Sequence, residues 1–213
     1  MVPSDASPAR ARGLFVVLDG IDGCGKSTQA RRLAAELERR TGTRTHHLRE
    51  PGSTSLGEAL RALLLSREHR PSARVEALLF AAARAQMLDE LVEPALLRGE
   101  HVVCERFHPS TFAYQAVAGG LGEDLVLGLL HGFAGAPKPD LVVLLDVPVA
   151  AASARRGAAT DRIEDKGAAF QARVAEGYRR YAERVPDTRV VRADRGEADV
   201  ARDVWTEVER ALR

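Results

Sequence analysis

An apolar run that ends in a glycine-rich turn constrains the fold of this chain more than any other feature. Residues 14–19 read LFVVLD, and residues 20–27, which follow directly, read GIDGCGKS. A continuous apolar run with β-branched and aromatic residues is typical of a strand that is buried on both faces of a parallel sheet. Apolar residues then recur at helical spacing, which predicts a helix over residues 27–40. This part of the chain is therefore predicted to form a strand, a tight turn and a helix.

The same alternation of strand-like and helix-like segments continues along the sequence. Further strands are predicted at residues 43–49, 101–105, 141–146 and 189–192. Helices are predicted at residues 56–65, 73–91 with a kinked extension past Pro94 to residue 97, 112–118, 123–133, from 149 onward, 170–184 and 198–212. Strands that alternate with helices require right-handed crossovers and a parallel sheet. The predicted fold class is α/β, with three layers and a five-stranded parallel sheet flanked by helices.

Composition excludes several classes of protein. Of the 213 residues, 45% are apolar and 29% are charged, so wholesale disorder is excluded. We predict a flexible tail at residues 1–13, without the apolar core of a secretory signal, and a single domain over residues 14–213. The 31 basic and 30 acidic residues argue against a protein that coats nucleic acid. We therefore expect no nucleic acid among the partners.

Cysteine content and hydropathy indicate the compartment. The two cysteines, Cys24 and Cys104, are too few for a disulfide framework or a four-ligand zinc site. No apolar run approaches the ~18–20 residues that a membrane-spanning helix needs, so no membrane partner is expected. A reducing, cytoplasmic location is predicted.

The turn after the first strand fits the motif G-x-x-x-x-G-K-[ST] at every fixed position. Its glycines allow backbone N–H groups to surround phosphate oxygens, and the helix that follows adds the positive end of its dipole. Lys26 can bridge the terminal phosphates as a catalytic group, and the hydroxyl of Ser27 can bind Mg²⁺. We predict a P-loop NTPase fold that binds ATP and Mg²⁺. The expected ATP-binding residues are Gly20, Ile21, Asp22, Gly23, Cys24, Gly25, Lys26, Ser27 and Thr28.

A P-loop identifies a nucleoside triphosphate but not its reaction. GTPases usually carry an N-K-x-D motif for guanine, which this sequence lacks. Motor ATPases usually have larger sheets and further motifs than 213 residues can easily carry. A small kinase is therefore favoured, and the remaining polar residues have to indicate its acceptor.

Arginines and a phenylalanine outside the P-loop fit a nucleotide acceptor. Arg49 and Arg106 lie where two predicted strands end, so both guanidinium groups can converge on one phosphate. Phe80 and Arg84 lie four residues apart on a predicted helix and share one face. This pair can stack on a nucleobase and donate to its carbonyl oxygen. Taken by itself, the same spacing also fits a core phenylalanine beside a solvated arginine.

The order and spacing of these segments resemble those of the bacterial thymidylate kinases, a family of P-loop nucleoside monophosphate kinases. The resemblance extends from Leu14 onward. The matching segments after the P-loop read REPGST at 49–54, LFAAARAQ at 79–86, ERF at 105–107, STFAYQ at 110–115 and RRGAATDRIE at 155–164. The resemblance implies transfer of the ATP γ-phosphate to dTMP with Mg²⁺. It also implies a homodimer that forms through helices beside the acceptor site, and the alanine-rich helix around residues 81–85 would suit close packing.

The resemblance implies roles for residues around the base and sugar of the acceptor. Phe80 would stack on thymine, and Arg84 would reach its O4 edge. Thr111 and Gln115, on the helix after the third strand, would contact the edge of the base. Asp22, inside the P-loop, would accept a hydrogen bond from the 3′-hydroxyl and so select a deoxyribose.

The resemblance also covers the phosphate and metal, with some departures. Arg49 and Arg106 would bind the phosphate of dTMP. Glu105 stands where an aspartate is commoner, and its carboxylate is expected near Ser27 as a direct or water-mediated ligand of Mg²⁺. Phe107 replaces the usual tyrosine or histidine. None of these changes removes the predicted reaction.

A charged segment at about residues 155–166 is predicted to form a mobile surface lid. It contains one large apolar residue, Ile163, among several charges. The P-loop has Cys24 where some relatives have an arginine, so the lid must supply the cation that stabilises the transferring phosphate. Arg156 and Arg162 are the preferred catalytic pair, with Arg155 in reserve.

Other hypotheses fit part of the same pattern. A kinase of the same fold could act on another deoxynucleotide or on a deoxynucleoside, with Glu105 as the base. A non-catalytic ATP-binding regulator would use the P-loop without an acceptor. Cys24 lies at a helix N-terminus beside Lys26, a setting that lowers a thiol pKa and predicts oxidation that blocks ATP. The alternative is that Cys24 is simply a small residue that this position tolerates.

Overall fold

The computed structural model describes residues 12–132, 135–156 and 161–212, which form an α/β fold around a parallel sheet. The predicted tail, apart from residues 12 and 13, lies outside the described residues, as do residues 157–160 of the predicted lid. The strands are β1 (Phe15–Asp19), β2 (Thr45–Arg49), β3 (His101–Glu105), β4 (Leu141–Asp146) and β5 (Thr188–Arg192). Their spatial order is β2-β3-β1-β4-β5, and all neighbours pair in parallel. The predicted fold class is confirmed.

Helices connect the strands and cover the sheet. They are α1 (Lys26–Thr41), α2 (Ser55–Leu65), α3 (Ala73–Met87), α4 (Glu93–Leu97), α5 (His108–Thr111), α6 (Glu123–Gly132), α7 (Val149–Arg156), α8 (Ala168–Arg184) and α9 (Glu197–Ala211). A 3₁₀ turn covers Glu164–Lys166. Most predicted boundaries agree with these ranges to within one or two residues. In the part of the chain that the structure describes, no helix is both long and apolar enough to cross a membrane.

Strand β1 is buried on both faces, as its continuous apolar run predicts. Phe15 and Val17 pack into one apolar cluster with residues of α3 and α4, whereas Val16 and Leu18 pack into another with Leu33 and its neighbours on α1. All five residues of β1 are fully buried. β1 lies between β3 and β4, in the middle of the sheet. The turn at the carboxyl end of β1 therefore lies at the middle of the edge where ligands bind in folds of this kind.

Two helical segments have π-helical geometry. One, Leu88–Val92, joins α3 to α4 just before Pro94, which has no N–H to donate to the preceding turn. The kink predicted near Pro94 is therefore spread over a wide turn. The other, Phe112–Ala118, continues α5, is buried over most of its length and packs along α8. It brings the acceptor-side residues to the cleft.

Candidate active site

The glycine-rich loop joins β1 to α1 and bends where only glycine fits. Gly20 has φ of 142° and Gly23 has φ of 84°, and both values lie in a region that other residues rarely adopt. A Cβ atom on Gly20 would lie 2.6 Å from the carbonyl oxygen of Leu145, and one on Gly23 would lie 2.2 Å from that of Ala152. The first turn of α1 has no side-chain cap, so its N–H groups and its dipole remain for an anion.

Lys26, at the start of α1, lies along the loop rather than in solvent. Its Nζ atom donates to the carbonyl oxygens of Gly20 and Ile21 at 2.9 Å each, and it lies 3.7 Å from Oδ1 of Asp22. The side chain is buried but lines the cleft. A phosphate that enters the loop would offer this ammonium group stronger, charge-assisted partners than the two carbonyl groups.

Ser27 and Glu105 form a pair of oxygen ligands beside the loop. The hydroxyl of Ser27 donates to Oε2 of Glu105 at 2.5 Å, and Oε1 of Glu105 lies 2.7 Å from Nε2 of His47. Burial opposes the charge of Glu105, but the hydrogen bonds from His47 and Ser27 outweigh it and hold its pKa below the usual value. The carboxylate is therefore ionised and oriented at neutral pH.

The chemistry of this oxygen pair fits Mg²⁺, and Glu105 lies beside Ser27 as the sequence predicted. A hydroxyl and a carboxylate are hard ligands, and Mg²⁺ usually binds one or two protein oxygens together with phosphate and water. Among the described residues, no group of three or more histidine, cysteine, aspartate or glutamate residues forms a protein-only metal cage. The extra methylene of Glu105 does not carry its carboxylate away from Ser27. His47, which sequence analysis did not single out, orients that carboxylate.

One cleft of about 760 Å³ runs from the glycine-rich loop to the segments after β2 and β3. It is large enough for a ligand the size of a nucleotide or more. Among the predicted site residues, the cleft is lined by Asp22, Gly23, Cys24, Gly25, Lys26, Ser27, Thr28, Arg49, Phe80, Glu105, Arg106, Thr111, Gln115 and Arg155. The structure thus brings together residues from six segments, the P-loop and the five that the sequence pattern assigned to the same site.

Asp22 and Arg106 form an ion pair at the centre of this cleft. Arg106 donates to Oδ1 of Asp22, and the hydroxyl of Tyr114 donates to Oδ2 at 2.8 Å. Arg106 has φ of 65°, an unusual value for a residue with a side chain, and donates through NH1 to Ser110 at 2.9 Å. This backbone conformation carries the guanidinium group from the end of β3 towards the glycine-rich loop. Asp22 and Arg106 both line the cleft, and the contact of Asp22 with a sugar hydroxyl remains a prediction.

Arg84 is completely buried and forms a bidentate ion pair with Glu50. Its Nε donates to Oε2 of Glu50 at 2.8 Å, and its NH2 donates to Oε1 at 2.5 Å and to Oγ1 of Thr111 at 2.8 Å. The guanidinium carbon lies 4.8 Å from the centre of the Phe107 ring. Its NH1 is buried and has no hydrogen-bond partner within the described chain. A buried donor without a partner is costly. Arg84 is not among the residues that line the cleft, so a ligand reaches this atom only after neighbouring side chains move.

The remaining base-side residues lie next to this pair. Phe80 is half-buried, one turn before Arg84 on α3, and lines the cleft. Thr111 and Gln115 are nearly fully buried and also line it. The alternative that Phe80 is only a core residue does not fit its position on the cleft wall. The alternative that Arg84 is a solvated charge is wrong, because Arg84 has no exposed surface.

Three arginines surround the acceptor end of the cleft. Arg49 is exposed and pairs with Glu58 on α2 at 3.2 Å, and Arg106 lies opposite. Arg61, which sequence analysis missed, is half-buried on α2 and donates to the carbonyl oxygen of Pro51 at 3.1 Å. Burial and the positive charges of Arg49 and Arg106 lower the pKa of Arg61. An anion bound between these side chains would relieve this repulsion.

The structure separates the three predicted lid arginines. Arg155 is exposed, lines the cleft and donates to the carbonyl oxygen of Ala193 at 2.9 Å. Arg162 does not line the cleft; it donates to Oε1 of Glu76 at 2.7 Å and to the carbonyl oxygen of Leu64 at 2.8 and 3.1 Å. The side chain of Arg156 lies outside what the structure describes. The catalytic roles of all three remain predictions.

The prediction of a surface segment agrees with the exposed positions of Asp165 and Lys166 but not with that of Ile163. Ile163 is buried in the larger apolar cluster, and Lys166 lies 4.7 Å from the ring centre of Phe170. Arg162 and Lys166 pair with one buried carboxylate, that of Glu76. Charge pairing thus permits a burial that the composition of the segment argued against.

The predicted activation of Cys24 is also wrong. Its side chain is buried, and burial raises the pKa of the thiol above its usual value despite the nearby charge of Lys26. A thiol that remains protonated is a poor nucleophile and oxidises slowly. The position of Cys24 at a helix N-terminus lowers the pKa only where solvent or a partner can stabilise the thiolate.

Asp19, the last residue of β1, accepts hydrogen bonds from several segments around the loop. Its carboxylate accepts bonds of 2.8–3.0 Å from the N–H groups of Gly20, Phe107 and Ser110, and from the hydroxyls of Ser110 and Tyr178. It therefore ties the glycine-rich loop to the segment after β3 and to α8. Sequence analysis took this residue as the end of a strand, and its polar character inside an apolar run was the available signal.

Comparison with known proteins identifies the family of this chain. The family model described as thymidylate kinase matches residues 18–204. A thymidylate kinase of Alkalilimnicola ehrlichii is 45% identical over 205 residues, which cover 94% of this chain and 93% of that protein. A thymidylate kinase of Rhodopseudomonas palustris is 42% identical over 205 residues, with 92% and 89% covered. The crystal structure of thymidylate kinase from Ehrlichia chaffeensis superposes with a TM-score of 0.75 and 28% identity, and covers 92% of this chain and 99% of that chain. The chain belongs to the thymidylate kinase family.

Proposed function

We propose that this chain is an ATP-dependent dTMP kinase, which transfers the γ-phosphate of ATP to dTMP and releases ADP and dTDP. The observation that carries the proposal is the single cleft that joins the glycine-rich loop to the arginine-lined acceptor end. Membership of the thymidylate kinase family supports dTMP as the acceptor. Two nucleotides in one cleft can align their phosphates for in-line transfer, so no covalent enzyme intermediate is required.

On the donor side, residues Gly20 to Thr28 would hold the triphosphate. Lys26 would exchange the two carbonyl oxygens at 2.9 Å for phosphate oxygens. Ser27 and Glu105 would hold Mg²⁺, directly or through water, which when bound would offset charge on the phosphates. Arg155 lies on the cleft wall beside the segment after β5, so its planar guanidinium group could stack on the adenine ring.

On the acceptor side, Phe80 would stack on thymine and the free NH1 of Arg84 would donate to its O4 atom. Thr111 and Gln115 would contact the edge of the base. Asp22, oriented by Tyr114, would accept a hydrogen bond from the 3′-hydroxyl group.

The phosphate of dTMP would lie between Arg49, Arg61 and Arg106, which converge on the acceptor end of the cleft. Arg156 and Arg162 would supply positive charge to the transferring phosphate when the lid closes, because phosphoryl transfer depends on positioning and charge stabilisation. For Arg162 this requires movement away from Glu76, its partner at 2.7 Å.

A coupled assay of ADP release with dTMP, dUMP, dGMP, dCMP and thymidine tests the proposal. We expect dTMP to give the highest kcat/KM. A preference for another monophosphate, or for thymidine, would indicate a kinase of the same fold with a different acceptor. ATP binding without release of ADP for any acceptor would indicate a non-catalytic regulator and refute the proposal.

We also propose that the chain forms a homodimer through α2, α3 and α6. Support comes from the outward faces of these adjacent helices, which carry exposed large apolar residues, namely Leu56, Leu63, Val75, Leu78 and Leu125. Within the alanine-rich segment 81–85, Ala81 and Ala83 are buried within the chain itself, whereas Ala82 is exposed one turn after Leu78 on the outer face of α3. Light scattering coupled to size-exclusion chromatography should give the mass of a dimer for the parent protein. The variant Leu78→Lys should give the mass of a monomer.

A cytoplasmic location is proposed on the state of the cysteines. Cys24 and Cys104 are both free and buried, which suits a reducing compartment. Fractionation of the source cells should recover the kinase activity with the cytoplasmic proteins.

A further inference from the structure

Glu76 on α3 is a buried carboxylate to which the proposed reaction assigns no role. Only 1% of its side chain is exposed, and it contacts two regions that are distant in sequence. Its Oε2 accepts from Nε2 of Gln115, on the wall of the acceptor site, at 3.0 Å. Its Oε1 accepts from Arg162 at 2.7 Å and from Nζ of Lys166 at 3.0 Å. One side chain therefore joins the base-edge residue to the charged segment 161–166.

The bond to Gln115 determines which end of its amide faces Glu76. An ionised carboxylate can only accept, so the NH₂ group of Gln115 must point towards Glu76. Burial disfavours the charge of Glu76, yet the bonds from Arg162 and Gln115 and the charge of Lys166 outweigh this effect and lower its pKa. With its NH₂ group turned to Glu76, Gln115 lines the cleft, and its amide oxygen is the group that can accept from a ligand.

An acceptor at this position favours one class of pyrimidine. Thymine and uracil carry an N–H at N3, which donates, whereas cytosine carries an unprotonated N3, which accepts. The amide oxygen of Gln115 would accept a hydrogen bond from the N3–H of thymine or uracil. The same oxygen would repel the lone pair on N3 of cytosine.

We propose that Glu76 is a positioning residue that fixes the amide of Gln115 so that the site accepts bases with an N3–H, and that it links this amide to the lid through Arg162 and Lys166. This inference rests on the proposed function. The carboxylate of Glu76 still accepts from the amide of Gln115 when Lys166 moves away, so the orientation of the amide depends on Glu76 itself. The same side chain thereby holds a residue of the base site and two cations of the lid segment.

The variant Glu76→Gln tests the orientation of the amide. A glutamine at position 76 can both donate and accept, so Gln115 could adopt either orientation. We expect the ratio of kcat/KM for dTMP to that for dCMP to fall about tenfold, mainly through a higher KM for dTMP. Calorimetric titration with each monophosphate in the absence of ATP should show the same change in relative affinity. Lys166→Met, which leaves the bond between Glu76 and Gln115 intact, should lower kcat but keep the ratio.

Three further proteins complete the experiment. Glu176→Gln is the matched control, because Glu176 on α8 also accepts from two arginines but its side chain is 40% exposed. It should match the parent. Glu76→Asp keeps an acceptor-only group and should retain the ratio better than Glu76→Gln. If Glu76→Gln does not fold, Glu76→Gln with Lys166→Met removes one charge of each sign and should show the same tenfold fall.

The outcomes separate this inference from the proposed function. A parent protein that does not phosphorylate dTMP would refute the proposed function and this inference with it. An active parent whose ratio is unchanged in Glu76→Gln, or changed equally in Lys166→Met, would overturn the positioning role and leave the proposed function intact.

Discussion

The buried ion pair between Arg84 and Glu50 gives a prediction that separates stability from recognition. Arg84 has no exposed surface and Glu50 is 3% exposed. The substitution Arg84→Met leaves the carboxylate of Glu50 buried without its cation, which costs about 3–5 kcal/mol. For a protein of this size each 1 kcal/mol lowers the melting midpoint by about 2–4 °C, so the variant should melt roughly 6–20 °C below the parent.

Removal of both charges should restore most of this stability. In the double variant Arg84→Met with Glu50→Leu, an apolar pair replaces the ion pair, and we expect unfolding free energy within about 2 kcal/mol of the parent. The guanidinium NH1, which has no partner in the described chain, is lost in both variants. Both should therefore have a strongly reduced kcat/KM for dTMP, with the loss mainly in KM.

Urea denaturation and steady-state kinetics with dTMP measure the two effects on the same proteins. Equal destabilisation of the single and double variants would show that the unpaired charge is not the cause. Recovery of kcat/KM in the double variant would refute the role of Arg84 in base recognition, because its loss of activity would then follow from loss of stability alone.

Four further predictions concern other parts of the molecule. Tyr114→Phe removes the hydroxyl that donates to Asp22 at 2.8 Å, and kcat/KM for dTMP should fall by about tenfold or more while the melting midpoint changes little. Arg162→Ala should lower kcat far more than it raises the Kd of dTMP, and an unchanged kcat would contradict a catalytic role for this side chain. The neighbouring Arg98 and His46 lower the pKa of Glu100 to about 2 from its usual 4.5, so its contribution to stability is present above pH 4.5 and lost as the pH falls towards 2. Glu100→Gln should therefore be less stable than the parent at pH 7, and this difference should shrink in denaturation experiments at pH 3. Burial raises the pKa of Cys24, so iodoacetamide at pH 7.5 should modify this thiol slowly in the native protein and rapidly in urea; fast native modification would contradict the burial argument.

The sequence predicted those parts of the structure that depend on local patterns. The apolar runs predicted the strands, because burial on both faces of a parallel sheet requires continuous apolar segments. The glycine-rich motif predicted the loop, because its conformation depends on residues that follow each other in the chain. Residues at the ends of β2 and β3 were expected to meet because strand ends share one edge of a sheet.

Partners from distant segments could not be predicted in the same way. Arg84 and Glu50 are 34 residues apart, and Arg162 and Glu76 are 86 residues apart. Composition gives the number of charged residues but not which of them form ion pairs. The charged segment at 155–166 was therefore predicted to be a surface loop, although Arg162 and Lys166 contact the buried carboxylate of Glu76. Tyr114 had a usable signal: it lies three residues after Thr111, one helical turn along the face that lines the cleft.

The hydrogen bonds of Asp19 have a consequence for the order in which the protein matures during synthesis. The chain emerges from the ribosome N-terminal end first, so the motif around Lys26 is made early. The donors that hold Asp19 come from Phe107 and Ser110, 88 and 91 residues later, and from Tyr178, 159 residues later. A nascent chain that stops before Tyr178 contains the whole nucleotide motif but lacks one of its anchors. Nucleotide affinity should therefore arise late in translation, when α8 has docked.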